Sequence, residues 1–73
     1  MTFEQFLEAD EMEQIEAIWR GKLVAEKSDS DFRFELYEVD GFYIEAKRNI
    51  VYGFIRSITP YKTKDEALLL WND

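Results

Sequence analysis

The chain has no cysteine and no histidine among its 73 residues, one proline and three glycines. Without Cys there is no disulfide, no thiolate ligand for zinc and no thiol nucleophile; without His the commonest catalytic base and metal ligand is missing. Gly21, Gly41 and Gly53 stand far apart, so no glycine-rich loop is present to cradle a phosphate. No repeat or low-complexity segment divides the chain, and residues 1–73 read as a single domain. The longest apolar run, Ala67 to Trp71, is five residues and too short for a membrane span. An acidic, amphipathic N-terminus lacks the basic start and apolar core of a signal peptide. These absences lead to an expectation of a soluble cytoplasmic protein with no cofactor, no membrane partner and no enzymatic activity.

Charge is present but unevenly placed. The net charge is -7, and residues 1–19 hold Glu4, Glu8, Asp10, Glu11, Glu13 and Glu16 with no basic residue, while the remainder is nearly neutral. A concentration of carboxylates argues against binding phosphate backbones or anionic lipid, which requires clustered Lys and Arg, so no direct nucleic-acid binding is expected. It suits a basic partner. Large apolar side chains are also plentiful: Ile, Leu, Val, Met, Phe, Trp and Tyr account for 29 residues, twelve of them aromatic. A domain this small buries only about 60% of its unfolded surface, so part of that apolar content is expected to face outward.

The patterning predicts an α+β fold with a broken N-terminal helix pair, an antiparallel meander of three to four strands and a C-terminal helix, the helices on one sheet face. Thr2-Phe3-Glu4-Gln5 has the form of a capping box, and a phase change between Phe3/Phe6/Leu7 and Met12/Ile15/Ile18/Trp19 predicts a break near Ala9 and Asp10. The second helix is expected to end at Gly21 in a left-handed cap. Lys22 to Lys27 is a plausible first strand, whose pairing the pattern leaves open, and Ser28 to Asp31 is a turn cluster. Phe32 to Glu38 and Phe42 to Lys47 alternate with period two. A three-residue connection with Gly41 left-handed would pair Leu36 with Ile44, Phe34 with Ala46 and Tyr37 with Tyr43, which aligns the apolar residues on one face. Arg48-Asn49 is expected to turn the chain into a strand over Ile50 to Thr59, apolar on both faces, which Pro60 ends. Thr63 to Glu66 is another capping box, opening a helix through about Asn72 with Ala67, Leu68 and Trp71 along one stripe.

Few residue groups suggest chemistry. Glu35 and Glu45 would be cross-strand neighbours in that register and are the strongest candidate acid/base pair, with Arg33 and Lys47 on the diagonals offering them ordinary surface ion pairs. Asp29-Ser30-Asp31 lacks the Gly and Glu positions of an EF-hand loop and reads as turn chemistry. Tyr37 and Tyr43 with Tyr52 or Phe54 should form an aromatic stripe ringed by charge, the composition of a protein interface. Glu4, Glu8 and Glu11 form a candidate acidic face.

Residues Ile15 to Gly21, reading IEAIWRG, and Leu36 to Glu45, reading LYEVDGFYIE, resemble a group of small uncharacterised bacterial proteins that share a helix ending in Trp-x-Gly and a Leu-Tyr, short turn, Phe-Tyr-x-Glu hairpin. The resemblance covers roughly residues 10–60 and implies no activity. The function expected from the whole sequence is a small non-enzymatic protein-interaction module, self-associating or docking a protein partner through the aromatic sheet face. The alternative is an acidic inhibitor or nucleic-acid mimic that meets a basic partner through the N-terminal helices.

Overall fold

The computed structural model describes residues 1–71, with the side chains of residues 70 and 71 left aside. Helices α1 (Phe3–Glu8) and α2 (Glu11–Arg20) precede strands β1 (Lys22–Ser28), β2 (Phe32–Val39), β3 (Phe42–Asn49) and β4 (Ile55–Tyr61), and helix α3 (Lys64–Trp71) follows. The strands form one sheet in the order β1-β2-β3-β4, antiparallel at each pairing. This is the α+β meander that the sequence implies, with Lys22–Ser28 as a paired strand. The expected helix end near Asn72 lies outside the described residues, as does the side chain of Trp71.

Local chemistry accounts for the helix boundaries. The Thr2 hydroxyl accepts from the Gln5 amide and the Gln5 side chain accepts from the Thr2 amide, completing the capping box. Asp10 caps α2 by accepting from the Glu13 amide, and Gln14 Nε2 donates to the Phe6 carbonyl, which ties the two helices at their break. From α2, Ala17 and Ile18 are buried, whereas Met12 and Trp19, expected in phase with Ile18, are exposed. Gly21 is not in a left-handed cap: its φ is -76° and ψ 167°. A Cβ there would meet Val39 Cγ2 at 2.8 Å and the Glu38 carbonyl at 3.2 Å, so close passage across β2 accounts for glycine.

The β2–β3 hairpin differs from the expected register by one residue. Val39 pairs with Phe42, leaving the two-residue turn Asp40-Gly41, and Leu36 therefore faces Glu45 while Tyr37 faces Ile44. Asp40 at φ 49° and Gly41 at φ 90° have the left-handed backbone of a hairpin turn whose twist matches the strands. Turn geometry prevails because the sheet is covered on both sides. On the first face Val39, Phe42, Ile44 and Ala46 form the core with Phe6, Ala17 and Ile18, joined by Tyr37, Ile55 and Ile58. Leu36 points to the second face and is fully buried, as is Ala67 of α3, and neither belongs to the first core. Since α3 lies against β3 and β4, it covers that second face. The expectation that the helices share one face holds for α1 and α2 only.

Two further boundaries depart from the sequence pattern. Residues 50–54 form a loop, not the start of a strand, and β3 continues through Asn49. Pro60 lies inside β4, where it is tolerated because β4 is the sheet edge.

Candidate functional site

The β3–β4 loop holds the most exposed contiguous apolar surface among the described residues. Ile50 is 48% exposed, Val51 79%, Tyr52 73% and Phe54 70%. Its backbone is nonetheless fixed. Asn49 Oδ1 accepts from the amides of Val51 at 2.9 Å and Tyr52 at 3.0 Å, and the Asn49 carbonyl accepts from Gly53 at 2.7 Å. The Asn49 amide donates to the Phe54 carbonyl at 3.0 Å, closing the loop, and the Ile50 amide donates to the Asp31 carbonyl of the β1–β2 turn at 3.1 Å. Tyr52 and Phe54 stack at a centroid distance of 6.3 Å with 23° between planes. Asn is suited to this task because its side chain imitates a backbone carbonyl two and three residues ahead. An exposed apolar loop with ordered backbone has already met part of the entropic cost of binding.

Beside the tip lies a charge cluster on the first face. Glu35 is only 8% exposed. Arg48 Nε donates to its Oε1 at 2.6 Å, the Tyr37 hydroxyl donates to the same oxygen at 3.0 Å, and Arg33 Nε lies 3.3 Å from Oε2. Arg33 also pairs with Glu26 across β1 and β2. Burial pushes the Glu35 carboxyl upward, but the hydrogen bonds from Arg48 and Tyr37 and the two guanidinium charges outweigh it, so its pKa lies below the ordinary value. Burial and the bond to Glu35 raise the Tyr37 phenol. Arg48 Nη1 donates to the Gly53 carbonyl at 3.2 Å and so joins the cluster to the tip. Between them is a cleft of about 370 Å³ bounded by Arg33, Glu35 and Arg48 on one side and Asn49, Ile50 and Gly53 on the other.

The expected sites are redistributed by the hairpin register. Tyr37 sits half-buried on the first face and Tyr43 on the second, where its hydroxyl donates to Glu38 at 2.9 Å, while Tyr52 and Phe54 are at the tip. A one-residue slip moves one strand's whole side-chain set to the other face, which separates the expected stripe. The same slip places Glu45 opposite Leu36 and Glu35 opposite Ala46, so Glu35 and Glu45 are on different faces and form no acid/base couple. Lys47 instead lies over the Phe32 ring at 4.1 Å. Glu4, Glu8 and Glu11 are all exposed, spread over α1 and the first turn of α2, and none makes an ion pair among the described residues. In the turn cluster, Asp29 Oδ1 accepts from the amides of Asp31 and Phe32, and these bonds hold its carboxyl below the ordinary range. No group of three or more acidic side chains is placed to hold a metal ion among the described residues, and no described helix is long and apolar enough to cross a membrane.

Sequence reasoning singled out Tyr52 and Phe54 and read Arg48-Asn49 only as a turn, whereas both end β3 and hold the loop. The signal was available in Asn49 standing before four apolar residues and one glycine, a turn-initiating residue ahead of a segment treated as strand. No protein-family model, curated protein or solved structure matches the chain.

Proposed function

We propose that the chain is a small non-enzymatic interaction module that docks a protein through the β3–β4 tip. The observation that carries this is the exposure of Ile50, Val51, Tyr52 and Phe54 on a backbone fixed by Asn49. Aromatic anchors beside arginine are the composition enriched at binding hot spots, and Arg48 adjoins these anchors. The most buried carboxylate supports the non-enzymatic part. Glu35 is held as an anion by Arg48, Arg33 and Tyr37, whereas general acid chemistry near neutral pH calls for a raised pKa. A cysteine-free chain suits a reducing compartment, which supports a cytoplasmic setting.

The test compares proteins captured from cell lysate by the wild type and by Y52S/F54S, in low and high salt. Proteins retained by the wild type in high salt and lost from the variant fit the reading, because apolar docking resists screening. The acidic-decoy alternative draws on Glu4, Glu8 and Glu11, which are exposed and make no ion pair among the described residues. It requires capture that disappears in high salt and in E4K/E8K/E11K while surviving in Y52S/F54S.

A further inference from the structure

We propose that the outward face of α2 is a second docking surface, and that its occupant is a basic amphipathic helix of another protein. The inference stands apart from the β3–β4 tip, and it differs from the acidic-decoy reading in requiring an apolar stripe as well as charge.

Helix geometry sets the stripe. Ala17 and Ile18 bury α2 against the sheet, and at about 100° per residue Met12 and Trp19 project about 160° away from them. Met12 is 64% exposed and Trp19 73%. Ile15, half-buried, lies between them, so large apolar side chains recur at i, i+3 and i+7 along a ridge about 10 Å long. The other side of α2 already meets the sheet, so the core gives no account of this ridge.

Charge selects the occupant. The segment from Phe3 to Arg20 carries Glu4, Glu8, Asp10, Glu11, Glu13 and Glu16 against Arg20. Lys22 follows α2, and Arg56 lines a cleft with Glu11, yet six carboxylates against three cations keep the surroundings negative. The Met1 ammonium adds nothing, because Asp40 matches it at 2.7 Å. None of the six carboxylates makes an ion pair among the described residues. Glu11 and Glu16 flank the ridge, one on either side. A second copy, a phosphate backbone or an anionic bilayer would be repelled. Lys and Arg bordering an apolar stripe meet these carboxylates while the stripe meets Met12, Ile15 and Trp19.

Backbone chemistry selects a helix over an extended segment. The outward face of a helix has no free amides or carbonyls, since the ladder takes them, so an extended peptide laid across it leaves its own backbone unpaired. A helix brings its backbone bonds with it and packs its apolar stripe along the ridge.

Selection from a random peptide library displayed on phage, with the wild type as bait and M12S/W19S as counter-bait, tests the occupant's chemistry directly. Recovered peptides should carry net positive charge and apolar residues at helical spacing, and should gain helical circular dichroism on binding. Amide shifts of 15N-labelled protein titrated with a recovered peptide should centre on Met12, Ile15 and Trp19. Affinity should fall about tenfold or more in M12S/W19S and several-fold in E11Q/E16Q, and stay unchanged in Y52S/F54S. Both α2 variants should keep the wild-type far-UV circular dichroism, since the replaced side chains lie outside the core. Failure to recover a binder, peptides without the positive charge or the helical spacing, or equal affinity for M12S/W19S overturns the inference. Oligolysine binding as tightly as the peptides overturns it too, because charge alone would then account for capture. Peptides that depend only on Tyr52 and Phe54 overturn it and leave the tip reading standing, whereas failure of the tip in its own test leaves this inference untouched.

Discussion

Arg48 bonds Glu35 through Nε at 2.6 Å and reaches the Gly53 carbonyl through Nη1 at 3.2 Å, so one guanidinium joins the best-shielded carboxylate of the sheet to the exposed loop. Arginine suits this position because its planar donors serve two acceptors in different directions, while a lysine presents a single point charge. Stability of the sheet end and order in the loop are thereby coupled through one side chain.

R48M removes both bonds and leaves Glu35 with the more distant Arg33 and with Tyr37. It should cost about 1–2 kcal/mol in urea unfolding, less than a fully buried pair because Arg48 is partly solvated. R48K should recover part of the stability but not the order of the loop, read as 15N order parameters at residues 50–53.

The lowered carboxyl of Glu35 gives a pH dependence of defined sign. A group with a folded-state pKa below its unfolded value contributes stability that is complete above the ordinary carboxyl value, near 4.5, and is lost as pH falls through the folded value. The stability gap between wild type and E35Q should therefore be widest near neutral pH and narrow on acidification below about 4.5. Unfolding curves from pH 7 to pH 3 check this; a gap that widens toward acid contradicts the ion-pair assignment.

Both glycines next to β2 resist substitution for different reasons. G41A forces a side chain into a backbone at φ 90° and should destabilise by about 1 kcal/mol or more, although nothing lies near the added methyl. G21A has an accessible backbone but meets Val39 Cγ2, and should cost about 1–3 kcal/mol through overpacking. A V39A change made together with G21A should relieve part of the clash, so a double-mutant cycle that shows no coupling contradicts the close approach.

Leu36 tests whether the second face is packed. L36A should lose about 2–5 kcal/mol by cavity formation, a large share of a small domain's stability. A loss under about 0.5 kcal/mol would mean that α3 does not cover Leu36.

N49A keeps every apolar side chain of the tip but removes the acceptor for Val51 and Tyr52. Order parameters at residues 50–53 should fall and tip-dependent capture of protein weaken several-fold, with global stability reduced by no more than about 1 kcal/mol.

Element types were largely legible in the sequence because their signals are local. Thr2 with Gln5 and Asp10 with Glu13 announce the two helix starts through contacts three residues apart. The alternation in Phe32 to Val39 announces β2 in the same way. The face assignments were not legible, because they rest on a contact more distant in the chain. Without knowing that the face carrying Leu36 is covered, a pairing with Glu45 looks unfavourable, and the register that aligns Leu36 with Ile44 looks better than the Asp40-Gly41 turn that is adopted. The aromatic site was half legible for the same reason: Tyr52 and Phe54 are exposed together, while Tyr37 and Tyr43 depended on that register. Apolar composition in residues 50–54 resembles a strand until the Asn49 side chain is seen to bend the backbone.

The central claim is that the apolar tip is the docking surface. Amide chemical shifts of 15N-labelled protein, recorded in buffer and in unlabelled cell lysate, test it residue by residue. The account predicts lysate-dependent changes centred on residues 50–54 and Arg48, with α1 and the Asp40-Gly41 turn unmoved. Changes centred on Glu4, Glu8 and Glu11, or on Tyr43 and the second face, or no change at any position, would contradict it.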